Sequence, residues 1–121
     1  MTPIEFFSAY KNGQRYFKNL YFEDVGGFAD NDFSNIIFED CFLYVDFGGS
    51  NLTNAKFIGC NIKEINLSEC NLTNAYMTRC LVESASFKDS IVNGFSFIDN
   101  YVYGLTIGQK HFDGIIIKDK T

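Results

Sequence analysis

The sequence predicts an all-β solenoid, a fold in which short strands stack coil upon coil. The main observation is a five-residue period: every fifth residue from position 52 to position 117 is apolar, fourteen in succession. Because apolar residues make up 46% of the chain, such a run in one phase has a chance probability on the order of 10⁻⁵. A second observation is that the residues two positions earlier, from Ser50 to Ser90, are mostly small. A period of five fits neither a helix nor a flat strand, so each repeat must bury its apolar side chains against copies of itself.

The repeat has a recognisable composition. A small residue is followed by Asn or another polar residue, then by a large apolar residue and two variable residues. Close copies of this pattern occupy residues 50–54, 55–59, 60–64 and 70–74. In these residues the segment resembles the pentapeptide-repeat family. The resemblance implies a right-handed, four-sided parallel β-helix with four repeats to each coil.

Two slips of phase interrupt the period in the first half of the chain. One lies at Gly26-Gly27 and the other, of a single residue, lies between Leu43 and Phe47. Glycines at these corners let the backbone absorb the change. With both slips allowed, the central residues form four columns and about five coils. The columns are Phe28, Phe47, Leu67, Phe87, Ile107; Phe33, Leu52, Leu72, Val92, Phe112; Phe38, Phe57, Met77, Phe97, Ile117; and Leu43, Ile62, Val82, Val102.

Residues 1–14 are predicted to cap the N-terminal end of the solenoid, and residues 15–121 to form the β-helix, within one domain. Thr2 and Glu5 have the spacing of a capping box, and Pro3 occupies the first helical position. A short helix from about position 3 to position 11 is therefore expected, with an extended strand as the alternative. Such a cap covers the unpaired backbone edge and apolar residues of the first coil.

Charge and composition narrow the function classes. A net charge of −5 and a pI near 4.7 disfavour direct nucleic-acid binding, which requires a basic face. No apolar run has the length of a membrane span, and the first residues do not form a signal peptide. The expected location is therefore the cytoplasm, with the four cysteines as reduced, buried thiols.

The cysteines raise the question of a metal site. Cys41, Cys60 and Cys80 fall in one inward column, followed by Asn100, but they lie in line rather than around a tetrahedron. Core packing is the interpretation adopted, with no metal and no cofactor. The single histidine, His111, has no nucleophile motif or phosphate-binding loop to accompany it, so an enzyme is not expected.

Outward apolar residues concentrate on two neighbouring sides of the predicted solenoid. A contiguous exposed apolar patch usually marks a contact surface, and tyrosine is enriched among interface anchors. Stacking of good strand formers is the alternative explanation. Carboxylates at positions 39, 40, 83 and 99 are expected to rim the patch. The candidate partner-binding residues are Phe42, Tyr44, Ile58, Tyr76, Leu81, Ile98, Tyr101 and Tyr103.

These residues favour a non-enzymatic protein-binding module, in concrete form a small bacterial immunity or antitoxin protein that binds a toxin domain. The family resemblance implies an alternative, a DNA mimic that binds DNA gyrase or topoisomerase IV. A spacer or homodimeric scaffold is the third interpretation, with end-to-end stacking of the last coil, residues 112–117, as the dimer contact. The DNA-mimic alternative would use an acidic face of the solenoid. Solvated surface charge is the simpler explanation of these acidic residues. They are Asp30, Asp46, Glu69 and Asp89.

Overall fold

The computed structural model describes residues 1–117. The chain winds into a four-sided β-solenoid of about four turns, with parallel sheets and a short N-terminal helix. The predicted fold class is confirmed, but the solenoid is about one coil shorter than predicted. The elements in chain order are α1 (Pro3–Lys11), β1 (Tyr16–Lys18), β2 (Tyr21–Glu23), β3 (Ile37–Glu39), β4 (Phe42–Tyr44), β5 (Lys56–Ile58), β6 (Tyr76–Thr78), β7 (Ser96–Ile98), β8 (Asn100–Val102), β9 (Leu105–Ile107), α2 (Gln109–His111) and a π-helical segment (Phe112–Ile116).

One side of the solenoid is a five-stranded parallel sheet in the order β1-β3-β5-β6-β7. Its central residues, from Phe17 to Phe97, pair in register and are all buried. β2 and β4 pair on the next side. These pairings confirm the predicted columns up to Phe97 and Val102. On the other three sides, isolated parallel bridges link residues of successive coils. They are Asp32↔Asn51, Asn51↔Asn71, Asn71↔Ile91, Asp46↔Asn66, Asn66↔Ser86, Phe42↔Asn61, Asn61↔Leu81 and Leu81↔Tyr101.

Both predicted slips of phase are present in the pairing register. Phe17 pairs with Phe38, 21 positions later, and Phe38 pairs with Phe57, 19 positions later. The next two pairs of this sheet are 20 positions apart. The corner at positions 22–28 therefore has one residue more than a repeat, and the corner at positions 43–47 has one fewer. Because the slips cancel, the later coils return to a strict five-residue phase.

Asparagine and aspartate before the central residue stabilise the turns. The side-chain oxygen of Asn51 accepts a hydrogen bond from the Thr53 backbone N–H at 3.1 Å, and Asn71 does the same for Thr73 at 3.0 Å. These are Asx turns, in which a short side chain replaces a backbone acceptor. The polar second position of the repeat thus fixes the local backbone. The same bond is made by Asp32, Asp46, Asn61 and Asn66.

Helix α1 covers the N-terminal end of the core, as the sequence predicts. The Thr2 hydroxyl accepts from the Glu5 N–H, and the Glu5 carboxylate accepts from the Thr2 N–H, which completes the capping box. The helix buries Phe6 completely. Neither α1 nor any other helix within residues 1–117 is long and apolar enough to cross a membrane.

The C-terminal end differs from the prediction. Tyr103 and Gly104 both have positive φ, 49° and 80°, the combination that a two-residue type I′ hairpin turn requires. The chain therefore reverses, and β9 pairs antiparallel with β8 instead of starting a fifth coil. The predicted placement of Ile107, Phe112 and Ile117 as central residues of further coils is wrong.

The last coil is also not bare. After β9 the chain forms α2 and the π-helical segment, and Phe112 is fully buried against the core. Its ring lies 5.0 to 5.1 Å from the rings of Phe87, Phe95 and Phe97. End-to-end stacking of an open coil, the predicted dimer contact, therefore loses its structural basis. The predicted β-helix range also included positions 118–121, which lie outside the described residues.

Candidate partner-binding surface

The eight predicted partner-binding residues lie on two adjacent sides of the solenoid. We call the side that contains β2, β4 and β8 the aromatic face. The side next to it is the five-stranded sheet. The corner between them carries Asp40, Arg79 and Asp99, each with a left-handed backbone. The aromatic face holds Phe42, Tyr44, Leu81, Tyr101 and Tyr103, and the neighbouring sheet holds Ile58, Tyr76 and Ile98.

The aromatic face is itself divided. Its outward ladder runs from Phe42 through Asn61 and Leu81 to Tyr101, so a polar residue interrupts the apolar side chains. Asn61 also accepts a hydrogen bond from the Lys63 N–H at 3.2 Å, which places a charged residue beside it. Two clusters result. The N-terminal cluster is Tyr21, Phe42 and Tyr44; the C-terminal cluster is Leu81, Tyr101 and Tyr103.

Tyr21 is a member of this surface that the sequence analysis missed. Its ring stacks on that of Phe42, with centroids 4.5 Å apart and planes inclined by 11°. The side chain is 65% exposed. The signal was present in the sequence, because Tyr21 precedes Phe22 as Phe42 precedes Leu43, and β2 pairs with β4 in that register.

Tyr103 is the most exposed member of the C-terminal cluster. It occupies the tip of the β8–β9 hairpin, 79% exposed, with its backbone in the left-handed region. The Tyr103 N–H donates to Oε1 of Glu83 at 2.7 Å. The position of the tyrosine is therefore fixed by the backbone of the turn and by a side chain from the coil below.

Glu83 is buried, in contrast to its predicted place on the rim of the patch. Apart from the Tyr103 N–H, its nearest partner is Nζ of Lys63, 3.9 Å from Oε2. Oε2 itself has no hydrogen-bond partner within residues 1–117. Lys63 is half exposed, so the ion pair is weakened by solvent, and the backbone bond to Tyr103 is the firmer contact.

The four predicted acidic residues lie along one side of the solenoid, the side whose central residues are Phe28, Phe47, Leu67 and Phe87. Asp30, Glu69 and Asp89 occupy equivalent left-handed corner positions, with Lys88 beside the last two. Asp46 lies at the opposite edge of this side, where its carboxylate accepts from the Asn66 amide and the Gly48 N–H, both at 2.7 Å. It lines a shallow groove of about 390 Å³ together with Asp24, Tyr44 and Glu64.

Comparison with known proteins agrees with this architecture. Residues 50–89 match the family model for pentapeptide repeats in eight copies. Residues 50–89 are pentapeptide repeats. No curated protein sequence matches the chain.

Two solved pentapeptide-repeat structures are similar to it. A protein from the cyanobacterium Cyanothece 51142 is 20% identical with a TM-score of 0.48, and the match covers 66% of this chain and 58% of that one. A protein from the thylakoid lumen of Arabidopsis thaliana is 25% identical with a TM-score of 0.37, and the match covers 77% and 78%.

At two of the four corners, the side chain of the first residue of the five-residue repeat donates a hydrogen bond to the coil below. Ser50, Cys70 and Ser90 each donate to the carbonyl of a central residue one coil below. Cys80 donates in the same way to Phe57 at 3.3 Å, and the Asn100 amide donates to Met77 at 2.9 Å. All four cysteines are buried free thiols. Within residues 1–117 no three His, Cys, Asp or Glu side chains converge to hold a metal ion.

The burial of Cys70 makes the stability of the fold depend on pH. Desolvation raises the pKa of the Cys70 thiol from 9.0 to about 11, because a thiolate is disfavoured in an apolar site. Above about pH 9 the unfolded thiol ionises while the folded one stays neutral, so the free energy of unfolding falls as the pH rises from about 9 to about 11.

The measurement is urea unfolding at several pH values, with Cys70→Ala as the comparison. Alanine fits here because the same inward position is alanine in other repeats, such as Ala55 and Ala75. We expect the variant to lose less stability than the wild type over this pH range. Equal losses in both proteins would show that Cys70 does not contribute.

Proposed function

We propose that this chain is a non-enzymatic protein-binding module that holds a partner protein on the C-terminal cluster of its aromatic face. The observation that carries the proposal is Tyr103, a large aromatic residue in a strained, exposed position at the hairpin tip. The left-handed conformation costs an L-residue with a Cβ atom about 1 kcal/mol. Strain of this kind concentrates at functional positions.

Comparison with the other corners supports this interpretation. Within residues 1–117, fourteen non-glycine residues have positive φ, and all except Tyr103 are polar or charged. An Asn-Gly pair is the favoured sequence for this turn, yet the chain has Tyr103-Gly104. Tyrosine supplies a large contact area for little loss of side-chain freedom, which suits an interface anchor better than a turn.

The surroundings indicate the class of partner. Leu81 and Tyr101 extend the apolar contact area beside Tyr103, and Asp99 lies at the adjoining corner. With a net charge of −5, the chain attracts a partner with a basic surface more readily than an acidic one. A toxin domain neutralised by a small immunity or antitoxin protein is the concrete form of this proposal.

A second candidate function is binding of DNA gyrase or topoisomerase IV through the acidic residues. It is supported by the shared corner position of Asp30, Glu69 and Asp89. Lys88 beside this corner and the internal hydrogen bonds of Asp46 reduce the negative surface, and the C-terminal cluster is therefore preferred.

The variant that tests the proposal is Tyr103→Asn. Asparagine tolerates the left-handed region and forms the preferred Asn-Gly turn, so we expect the free energy of unfolding to rise by about 0.5 to 1 kcal/mol. Partner affinity, in contrast, should fall at least tenfold. A residue with a purely structural role would not raise stability and lower affinity together.

The measurement starts with partners captured from a lysate of the native host and identified by mass spectrometry. The purified partner is then titrated against the wild type, Tyr103→Asn and the control Tyr16→Thr, which removes an exposed tyrosine from β1. Affinity that falls for Tyr103→Asn alone supports the proposal. Equal affinity for all three proteins contradicts it, and a topoisomerase bound equally by all three would support the second candidate.

A further inference from the structure

The C-terminal end of the molecule presents a second apolar surface, which faces along the solenoid and is distinct from the aromatic face. We call it the end surface. Leu105 is 69% and Ile115 52% exposed, and Ile107 between them is half-buried. Beside β9 lies an open concavity of about 600 Å³. Its lining residues are Thr106, Ile107, Gly108, Lys110, His111, Gly114 and Ile115.

Strand β9 has an unpaired outer edge at this end. Within residues 1–117 its only strand partner is β8. Tyr101, which lies opposite Thr106, uses its own N–H and C=O on Cys80 and Val82 of the coil below. In an antiparallel pair, bonded and non-bonded residues alternate. The N–H and C=O of Thr106 therefore point outward, available to another strand.

The charge of the end surface differs from that of the rest of the chain. Residues 100–117 contain one lysine, Lys110, and one carboxylate, Asp113, and so carry no net charge when His111 is neutral, whereas the whole chain carries −5. Two copies can meet here without the repulsion that acidic surfaces would cause.

The four residues that follow the described part of the chain are charged or polar. Positions 118–121 are Lys-Asp-Lys-Thr, and none of these side chains is apolar. We propose that the end surface binds a second copy of this chain, with the two β9 strands pairing antiparallel about a two-fold axis. This proposal is independent of the partner proposed for the C-terminal cluster.

The sequence of β9 is self-complementary in that arrangement. With Thr106 at the two-fold axis, the two Thr106 residues exchange both backbone hydrogen bonds. Leu105 of each copy then lies opposite Ile107 of the other, on the same face of the joined sheet. An isologous contact of this kind closes on itself and gives a dimer rather than a fibre.

The test is the molar mass of the full chain by light scattering, from about 10 μM to about 1 mM, a range that detects weak association. We expect the wild type to shift from monomer to dimer. Leu105→Asp, which places a charge in the contact, should raise the dimer dissociation constant at least tenfold. Ile4→Asp on α1, at the opposite end, is the matched control and should dimerise like the wild type.

A second variant separates pairing from folding. Thr106→Pro removes only the outward N–H, which β8 does not use, and proline is tolerated on such an edge. It should keep the wild-type circular dichroism and lose the dimer. Tyr103→Asn should dimerise normally, because the end surface is unchanged. A wild type that stays monomeric at about 1 mM, or a folded Thr106→Pro that dimerises as well as the wild type, would overturn the proposal.

Discussion

Replacing Phe6 with alanine is expected to lower the free energy of unfolding by about 3 to 5 kcal/mol. Phe6 is 0% exposed and is the side chain of α1 that closes the first coil. Its ring lies 4.7 Å from that of Phe17 and 5.5 Å from that of Phe28. Alanine would lose these contacts and open the apolar centre of the coil to water. The helix itself should persist, because alanine is the strongest helix former.

Urea unfolding monitored by circular dichroism measures this effect, with Ile4→Ala as the control. Ile4 lies on the same helix but is 82% exposed, so its truncation should change stability by no more than about 0.5 kcal/mol. The contrast isolates burial from helix propensity. Similar losses for the two variants would mean that α1 does not cap the core.

The position of Phe6 shows why a solenoid needs such a residue. Each coil is stabilised mainly by its neighbours, so the first coil lacks a partner on one side. Phe6 supplies that partner with one side chain, which contacts the rings of all four sides. Its ring lies within 5.9 Å of the rings of Phe17, Phe22, Phe28, Phe33 and Phe38.

Much of this fold is predictable from sequence because its determinants are local. The capping box of Thr2 and Glu5 predicts the N-terminal helix without reference to the rest of the chain. The five-residue period places residues such as Phe57 and Met77 in one column, and the pairing of β5 with β6 follows. The two slips of phase can also be found in the sequence, because each shifts the phase by one residue and the second restores the original phase.

The C-terminal end was not predictable by the same reasoning. Ile107, Phe112 and Ile117 keep the five-residue phase, so periodicity alone assigns them to further coils. The outcome is decided at Tyr103-Gly104, where two left-handed residues reverse the chain. Tyrosine is not a turn residue, and the hairpin signal is therefore hidden. Phe112 then packs under the last coil as a cap, and the five-residue period does not indicate this position.

The candidate site was predicted only in part for a related reason. The period gives the outward direction of each side chain, and thus the apolar residues of both sides. The period also gives Asn61 and Lys63 as outward residues. It does not show that these two residues divide the aromatic face into two clusters. The burial of Glu83 could not be predicted at all, since it depends on the N–H of a turn that the sequence conceals.

Phe112→Ala is the prediction that distinguishes a terminal cap from a further coil. We expect it to lower the free energy of unfolding by about 3 kcal/mol, because the ring is fully buried and contacts Phe87, Phe95 and Phe97. Ile115→Ala is the control, since Ile115 belongs to the same π-helical segment but is 52% exposed. Its effect should stay below about 1 kcal/mol.

Amide hydrogen exchange shows which coils each substitution destabilises. If Phe112 closes the last coil, Phe112→Ala should speed amide exchange in β7 and β8 more than in β1 and β3, because stability in a solenoid is passed between neighbouring coils. Phe6→Ala should give the reverse pattern. Uniform acceleration along the chain in both variants would mean that the solenoid opens as one cooperative unit, and that the two phenylalanines do not stabilise separate ends.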